Sequence, residues 1–216
     1  MSGIVGSKLN IRGSGLVGSL GTDGQHLLSS GAGKTNVFES AAAGGAWTKI
    51  DSQTASSDDY ITFSTFSTDY IDFRVIGSNV VPETDEAVLR HQISTSSSFL
   101  TSGYTYALTG SNSAETSRKT GNDSGTSQIQ PHYETLGNAS GENIYFEITI
   151  SDVHDTANQK MMWWLTAHSD SASKVEHMEG GGRHAATTAA VDGIRFFTSS
   201  DSLLSGEFTL YGRKVT

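Results

Sequence analysis

Cysteine is absent from the 216 residues. That excludes disulfides, thiolate metal sites and cysteine nucleophiles. Small secreted domains usually lean on disulfides, so this chain must draw its stability from burial or from oligomerisation. Proline occurs twice, which rules out a proline-rich linker. Charged residues make up 17% and hydrophobic residues 35% of the chain, too little of either for a coiled coil or a charged helical domain. No stretch approaches the ~18 consecutive apolar residues of a membrane span, and no membrane insertion is expected. The segment Met1-Ser-Gly-Ile-Val-Gly-Ser-Lys8 has no cationic run ahead of an apolar one, so no signal peptide is expected. Basic residues are scarce: 14 Lys and Arg stand against 23 Asp and Glu, a net charge of −9. An acidic chain repels phosphate backbones, and nucleic acid is not an expected partner.

What is abundant is small and polar. There are 24 glycines, and Ser and Thr make up roughly a quarter of the chain, above ordinary usage. Short strands joined by polar turns suit such a composition. Residues 1–44 hold ten glycines and singly spaced apolar residues without a helical period. They read as an extended arm for anchoring or trimerisation, with Leu20, Leu27, Leu28 and Phe38 as candidates for burial against a partner. Residues 45–216 carry clean alternation. Ile71, Phe73 and Val75 share one strand face, and Ile144, Phe146, Ile148 and Ile150 share another. Further strands are expected near 47–50, 60–66, 87–93, 104–108, 161–168, 194–197 and 207–211. The stretch 110–127 reads as a long polar loop, and a short helix is expected around 185–190. The expected fold is all-β: an antiparallel jelly-roll sandwich over 45–216, preceded by the Gly-rich arm. Met161-Met-Trp-Trp-Leu165 breaks the alternation, being apolar on both faces. Its outer face is expected in a subunit interface, with Met162 and Trp164 as the candidates.

The chemistry-bearing clusters are weak. Gly31-Ala-Gly33-Lys34-Thr35 resembles the end of a phosphate-binding loop, but Leu28 stands where its first glycine is needed. His177, Glu179 and His184 have metal-ligand residue types but sit in a Gly-rich stretch that reads as a loop. Asp152, His154 and Asp155 read as a hairpin turn as readily as an acid–base set. No Gly-x-Ser-x-Gly elbow is present. Asp58, Asp59 and Glu142 complete the carboxylates that a glycosidase would need in pairs. No catalytic, cofactor or metal residues are assigned, and no enzyme activity is expected. Tyr104, Tyr106 and Tyr133 are candidates for stacking on a sugar, with Trp163 and Trp164 as further aromatics.

Two sets of segments resemble tailed-phage virion proteins, those of marine phages in particular. Gly18-Ser-Leu-Gly-Thr-Asp-Gly-Gln-His-Leu-Leu-Ser-Ser-Gly-Ala-Gly33 is similar to segments that link modules in trimeric phage fibres. Tyr70–Phe73, Asn79–Asp85, Leu89–Phe99 and Gly103–Tyr106, with Asp192–Phe197 and Ser205–Gly212, resemble a jelly-roll module of phage structural proteins. The resemblance covers most of 18–33, 70–106 and 192–212. It departs at Ser96-Ser97-Ser98, where the module often has an Asp-Gly-Gly turn. It implies a virion structural protein assembled in the host bacterial cytoplasm and displayed on the particle as a fibre, tail appendage or capsid decoration. The expected partners are other virion proteins and two further copies, a homotrimer held through the arm and one sandwich face. A host-surface glycan is the alternative partner, in a receptor- or glycan-binding jelly-roll module.

Overall fold

The computed structural model describes residues 25–28, 37–40, 47–64 and 66–214. The chain divides into two compact units, 1–44 and 45–216. In the first, β1 (Gln25–Leu28) and β2 (Val37–Ser40) form an antiparallel hairpin with Leu27 opposite Phe38. Leu27, Leu28 and Phe38 lie on this hairpin, but their side chains are outside the described residues, as are Leu20 and the Gly31–Thr35 motif.

The second unit is a sandwich of two antiparallel sheets. Its strands are β3 (Trp47–Asp58), β4 (Ile61–Ser64), β5 (Asp72–Pro82), β6 (Leu89–Thr95), β7 (Ser98–Phe99), β8 (Tyr104–Asn112), β9 (Lys119–Thr126), β10 (Ile144–Ile150), β11 (Met161–Ser169), β12 (Val175–His184), β13 (Gly193–Thr198) and β14 (Leu203–Arg213). The large sheet has eight strands in the order β3-β14-β5-β10-β11-β12-β8-β9, and the small one has four, β4-β13-β6-β7. The chain alternates between them, with β3, β5, β8 to β12 and β14 in the large sheet and the rest in the small.

The period of two sets the core. Cross-strand partners line up as Leu210, Val75, Ile148, Trp164, Gly180 and Leu108, one inward row across six strands. Phe146, Phe196 and Phe208 pack ring against ring between the sheets at 5.1–5.7 Å. Trp164 is fully buried, and it fits because its partner is glycine: a Cβ on Gly180 would lie 2.4 Å from the indole. The turn joining β6 to β7 is Ser96-Ser97, both with positive φ (50° and 61°), a conformation that costs a side-chain-bearing residue about 1 kcal/mol. Asp192 holds this turn, accepting from Ser97 N at 2.6 Å and Ser94 Oγ at 2.5 Å.

The register corrects three expectations. Met162 and Trp164 point into the core, so they are not surface contact residues; the outward side chains of β11 are Met161, Trp163, Leu165 and Ala167. The segment 175–184 is a strand, not a loop: Glu176, Met178 and His184 face inward, and β11 and β8 supply hydrogen bonds on both sides. The expected loop at 110–127 contains β9, a polar edge strand whose one neighbour is β8. Its lack of an apolar face hid it. The helix expected around 185–190 does not form. Ala185 is tied by its N–H to Gly103 O and by its carbonyl to Gln159 Nε2, and six residues are too few to nucleate a helix against those bonds.

Trp164→Ala is expected to lower the stability of the sandwich by about 3–5 kcal/mol without altering the number of chains in the assembly. A urea titration and light scattering on the same sample check the two halves of that statement.

Candidate functional site

Two regions gather chemistry-bearing side chains. The first is buried. Ile144, His168, Glu176 and Asn112 form one inward row across β10, β11, β12 and β8. Over this row passes the segment 127–137, which bridges to β6 of the small sheet at His91–Ile129, to Ala87 just before β6 at Leu136, and to the large-sheet side at Leu136–Asp170. Glu176 Oε1 accepts from the backbone N–H groups of Tyr133 and Glu134 at 3.0 and 3.1 Å. His132, from the same segment, donates from Nδ1 to Glu134 O at 2.6 Å and accepts at Nε2 from Leu89 N at 3.0 Å. Its ring stands 4.9 Å from that of His168. His168 Nε2 lies 3.7 Å from Glu176 Oε1.

His132, His168 and Glu176 each offer a ligand atom within 4.8 Å of the others, residue types that suit zinc. The donor set does not fit. Both His132 nitrogens are committed to backbone groups, which leaves His168 and the free Oε2 of Glu176 as two available donors where a structural zinc site takes four. The cluster is a clasp that pins 127–137 to the large sheet. Burial pushes the Glu176 carboxyl up, opposed by the two N–H groups it holds. Burial lowers His132 to about 3, helped by nearby His168, and lowers His168 to about 4. His91, also fully buried between Trp164 and Phe196, is lowered to about 3 by burial.

The second region is on the outer face of the large sheet. Three rows run side by side across β11, β12, β8 and β9. The middle row is Trp163, Gly181, Ala107 and Asn122. Leu165, Glu179, Thr109 and Thr120 flank it on one side, and Met161, Arg183, Thr105 and Ser124 on the other. The centre is bare, since Gly181 and Ala107 carry almost no side chain. Two contiguous hollows of about 470 and 400 Å³ result, meeting at Ala107. One wall is apolar, with Met161, Trp163 and Leu165 exposed by 55, 45 and 38%. The opposite wall is polar, with Asn122 and Ser124. Arg118 closes one end through Glu179 Oε1 at 3.8 Å and Thr109 Oγ1 at 3.2 Å. Behind Trp163 stands Arg74, whose guanidinium lies 4.2 Å from the Trp47 ring and 5.7 Å from the Trp163 ring. Arg74 is itself fixed by Glu147 at 3.0 Å and Thr149 Oγ1 at 3.2 Å.

The residues singled out in the sequence scatter. Tyr104 is no sugar platform: it is fully buried, and its hydroxyl accepts from Ile93 N and donates to Leu100 O. Tyr106 faces inward beside Trp164, partly buried. Tyr133 is exposed and lies under the Lys119 ammonium at 5.3 Å. His177 and Glu179 point outward while His184 points inward and donates to Ser102 O, so the three do not meet. Asp155 caps a turn, its carboxyl held low first by the Ala157 N–H. Asp152 lies in the same turn with positive φ, and His154 donates to Ser67 O. Asp58 accepts from Ser56 N, Asp59 from Ser202 Oγ, and Glu142 from Ala139 N and Ser173 Oγ. The residues that build the outer hollow went unread as a set. The available signal was the alternation Met161, Trp163, Leu165 set beside the run Gly180-Gly181-Gly182. Comparison with protein-family models, curated proteins and solved structures returns no match.

Three of the buried histidines, His91, His132 and His168, take up protons more readily unfolded, near 6.5, than folded, near 3 to 4. Their contribution is therefore complete above about pH 6.5 and is lost as the pH falls towards 4, by roughly 1.4 kcal/mol per pH unit for each. Glu176, shifted up, acts in the opposite sense, its contribution being lost as the pH rises through its raised value. Urea midpoints are expected to drop between pH 7 and pH 4.5, and His91→Leu to flatten that drop by about a third. Glu176→Ala orphans two buried N–H groups and is expected to cost about 2–5 kcal/mol at neutral pH.

Proposed function

We propose that the protein is a non-enzymatic structural protein displayed on the surface of a tailed-phage particle, as a fibre, tail appendage or capsid decoration. One observation carries the reading. The segments that resemble phage modules, far apart in sequence, fall on adjoining strands: β14 lies beside β5 in the large sheet, and β13 beside β6 in the small. The quartets β3-β14-β5-β10 and β4-β13-β6-β7, filled by a chain that alternates between sheets, support a jelly-roll winding. The strands β11, β12, β8 and β9 extend the first quartet. The engagement of the candidate carboxylates in turn and loop hydrogen bonds supports a role other than catalysis. In this reading residues 1–44 anchor the chain and associate as a homotrimer, other virion proteins are its neighbours, and the sandwich faces outward. A second reading, recognition of a host-surface glycan, is favoured by the bare-centred rows on the outer face.

Light scattering of the full-length chain is expected to give about three times the 22.9 kDa chain mass. Deletion of residues 1–40 is expected to leave a folded monomer that no longer enters particles. A full-length monomer, or a trimer that survives the deletion, contradicts assembly through the arm.

A further inference from the structure

We infer that the outer hollow of the large sheet is a binding site for a neutral, β-linked, gluco-configured oligosaccharide, with Trp163 as the stacking surface and Gly181 as the cleared floor. This deepens the glycan reading and does not depend on assembly through the arm, because one sandwich supplies every wall.

The central glycine is the telling residue. In the run Gly180-Gly181-Gly182, two positions are forced by packing. A Cβ on Gly180 would strike the Trp164 indole at 2.4 Å, and one on Gly182 would meet Tyr106 Cβ at 2.8 Å. Gly181 points outward, and its Cβ would meet nothing closer than Met162 O at 3.5 Å, an ordinary contact. No positive φ demands glycine there either. A strand interior disfavours glycine, so neither packing nor backbone explains it. What the glycine provides is open floor between Trp163 and Asn122, continued by Ala107.

The walls suit a sugar. A pyranose whose substituents are all equatorial presents a flat C–H face and a rim of hydroxyls. The first seeks an aromatic ring, the second seeks polar side chains. The hollow offers Trp163 on one side and Asn122 and Ser124 on the other. Trp163 is braced by Arg74, so little ordering is left to binding. The three rows span four residues along the strands, about 14 Å, and four strands, about 14 Å across. That length takes roughly two to three pyranose rings. The footprint, about 200 Å², falls well short of the ~800 Å² per partner that a stable protein interface buries, which disfavours a second copy as the occupant. Charge selects a neutral chain: Arg183 and the Arg118–Glu179 pair stand at opposite ends, and the net charge of −9 repels an anionic polysaccharide.

The test uses the full-length chain with cellohexaose and chitohexaose, titrated by calorimetry and by tryptophan fluorescence. At least one is expected to bind. Trp163→Ala is expected to weaken that binding about tenfold or more. Gly181→Val fills the floor and is expected to abolish binding while leaving the urea midpoint unchanged or slightly raised. Asn122→Ala, on the exposed edge strand, is a second variant that leaves the core intact and is expected to weaken binding. Failure of both sugars to bind overturns the proposal, as does unchanged affinity in Gly181→Val. A change in particle mass for Trp163→Ala also overturns it, by showing that the face lies between copies. A wild-type chain that is monomeric but binds sugar removes the trimeric reading and leaves this one standing.

Discussion

The carboxylate of Glu176 and the two backbone N–H groups it holds bear on most of the sandwich. A sheet of four strands cannot roof a sheet of eight. Across β8, β11 and β12 the inward side chains would meet water if nothing lay over them. The segment 127–137 lies there, with Ile129, His132 and Leu136 fully buried. An irregular segment carries backbone groups that need partners once buried. Glu176 satisfies two of them and His132 a third, while His132 also accepts from Leu89 N–H of β6, and single bridges to His91 of β6 and to Ala87 just before it tie the segment towards the small sheet. Polar side chains placed deep inside therefore serve to make a piece of coil behave as a wall. The unpartnered His168 nitrogens and Glu176 Oε2 are the part of this arrangement that costs stability.

Five residues of β11 show how fold and surface are kept separate. Met162 and Trp164 belong to the core; Met161, Trp163 and Leu165 belong to the outer face. The partner strand divides in the same way, with Gly180 and Gly182 yielding space to large inward side chains and Gly181 yielding space to solvent. Because the period is two, the outer set can change without disturbing the inner one.

Much of the fold was legible because alternation is a strong signal. Ile144–Ile150 was read to the residue, and most other apolar strands overlap their expected positions. What failed was strands whose evidence is tertiary. β12 contains three consecutive glycines, and its extended form comes from two hydrogen-bonded neighbours rather than from propensity. β9 has no apolar face at all. The face of Trp164 was misjudged because a run apolar on both sides carries no phase; the register with Gly180 supplies it. The buried clasp joins His132, His168 and Glu176 from three separate stretches, and no local spacing links them.

The Ser96-Ser97 turn has a consequence for the order of events when the chain folds. A two-residue hairpin is ordinarily among the first structures to close, since its ends are near in sequence. Here both turn residues stand in the left-handed region without being glycine, so closure is locally uphill. The group that compensates, Asp192, is 95 residues downstream of Ser97. The hairpin is short-range by connectivity but long-range by energetics. It is expected to lock only after β13 has returned to lie beside β6, and the nucleus must therefore form elsewhere, across strands the chain has already brought together.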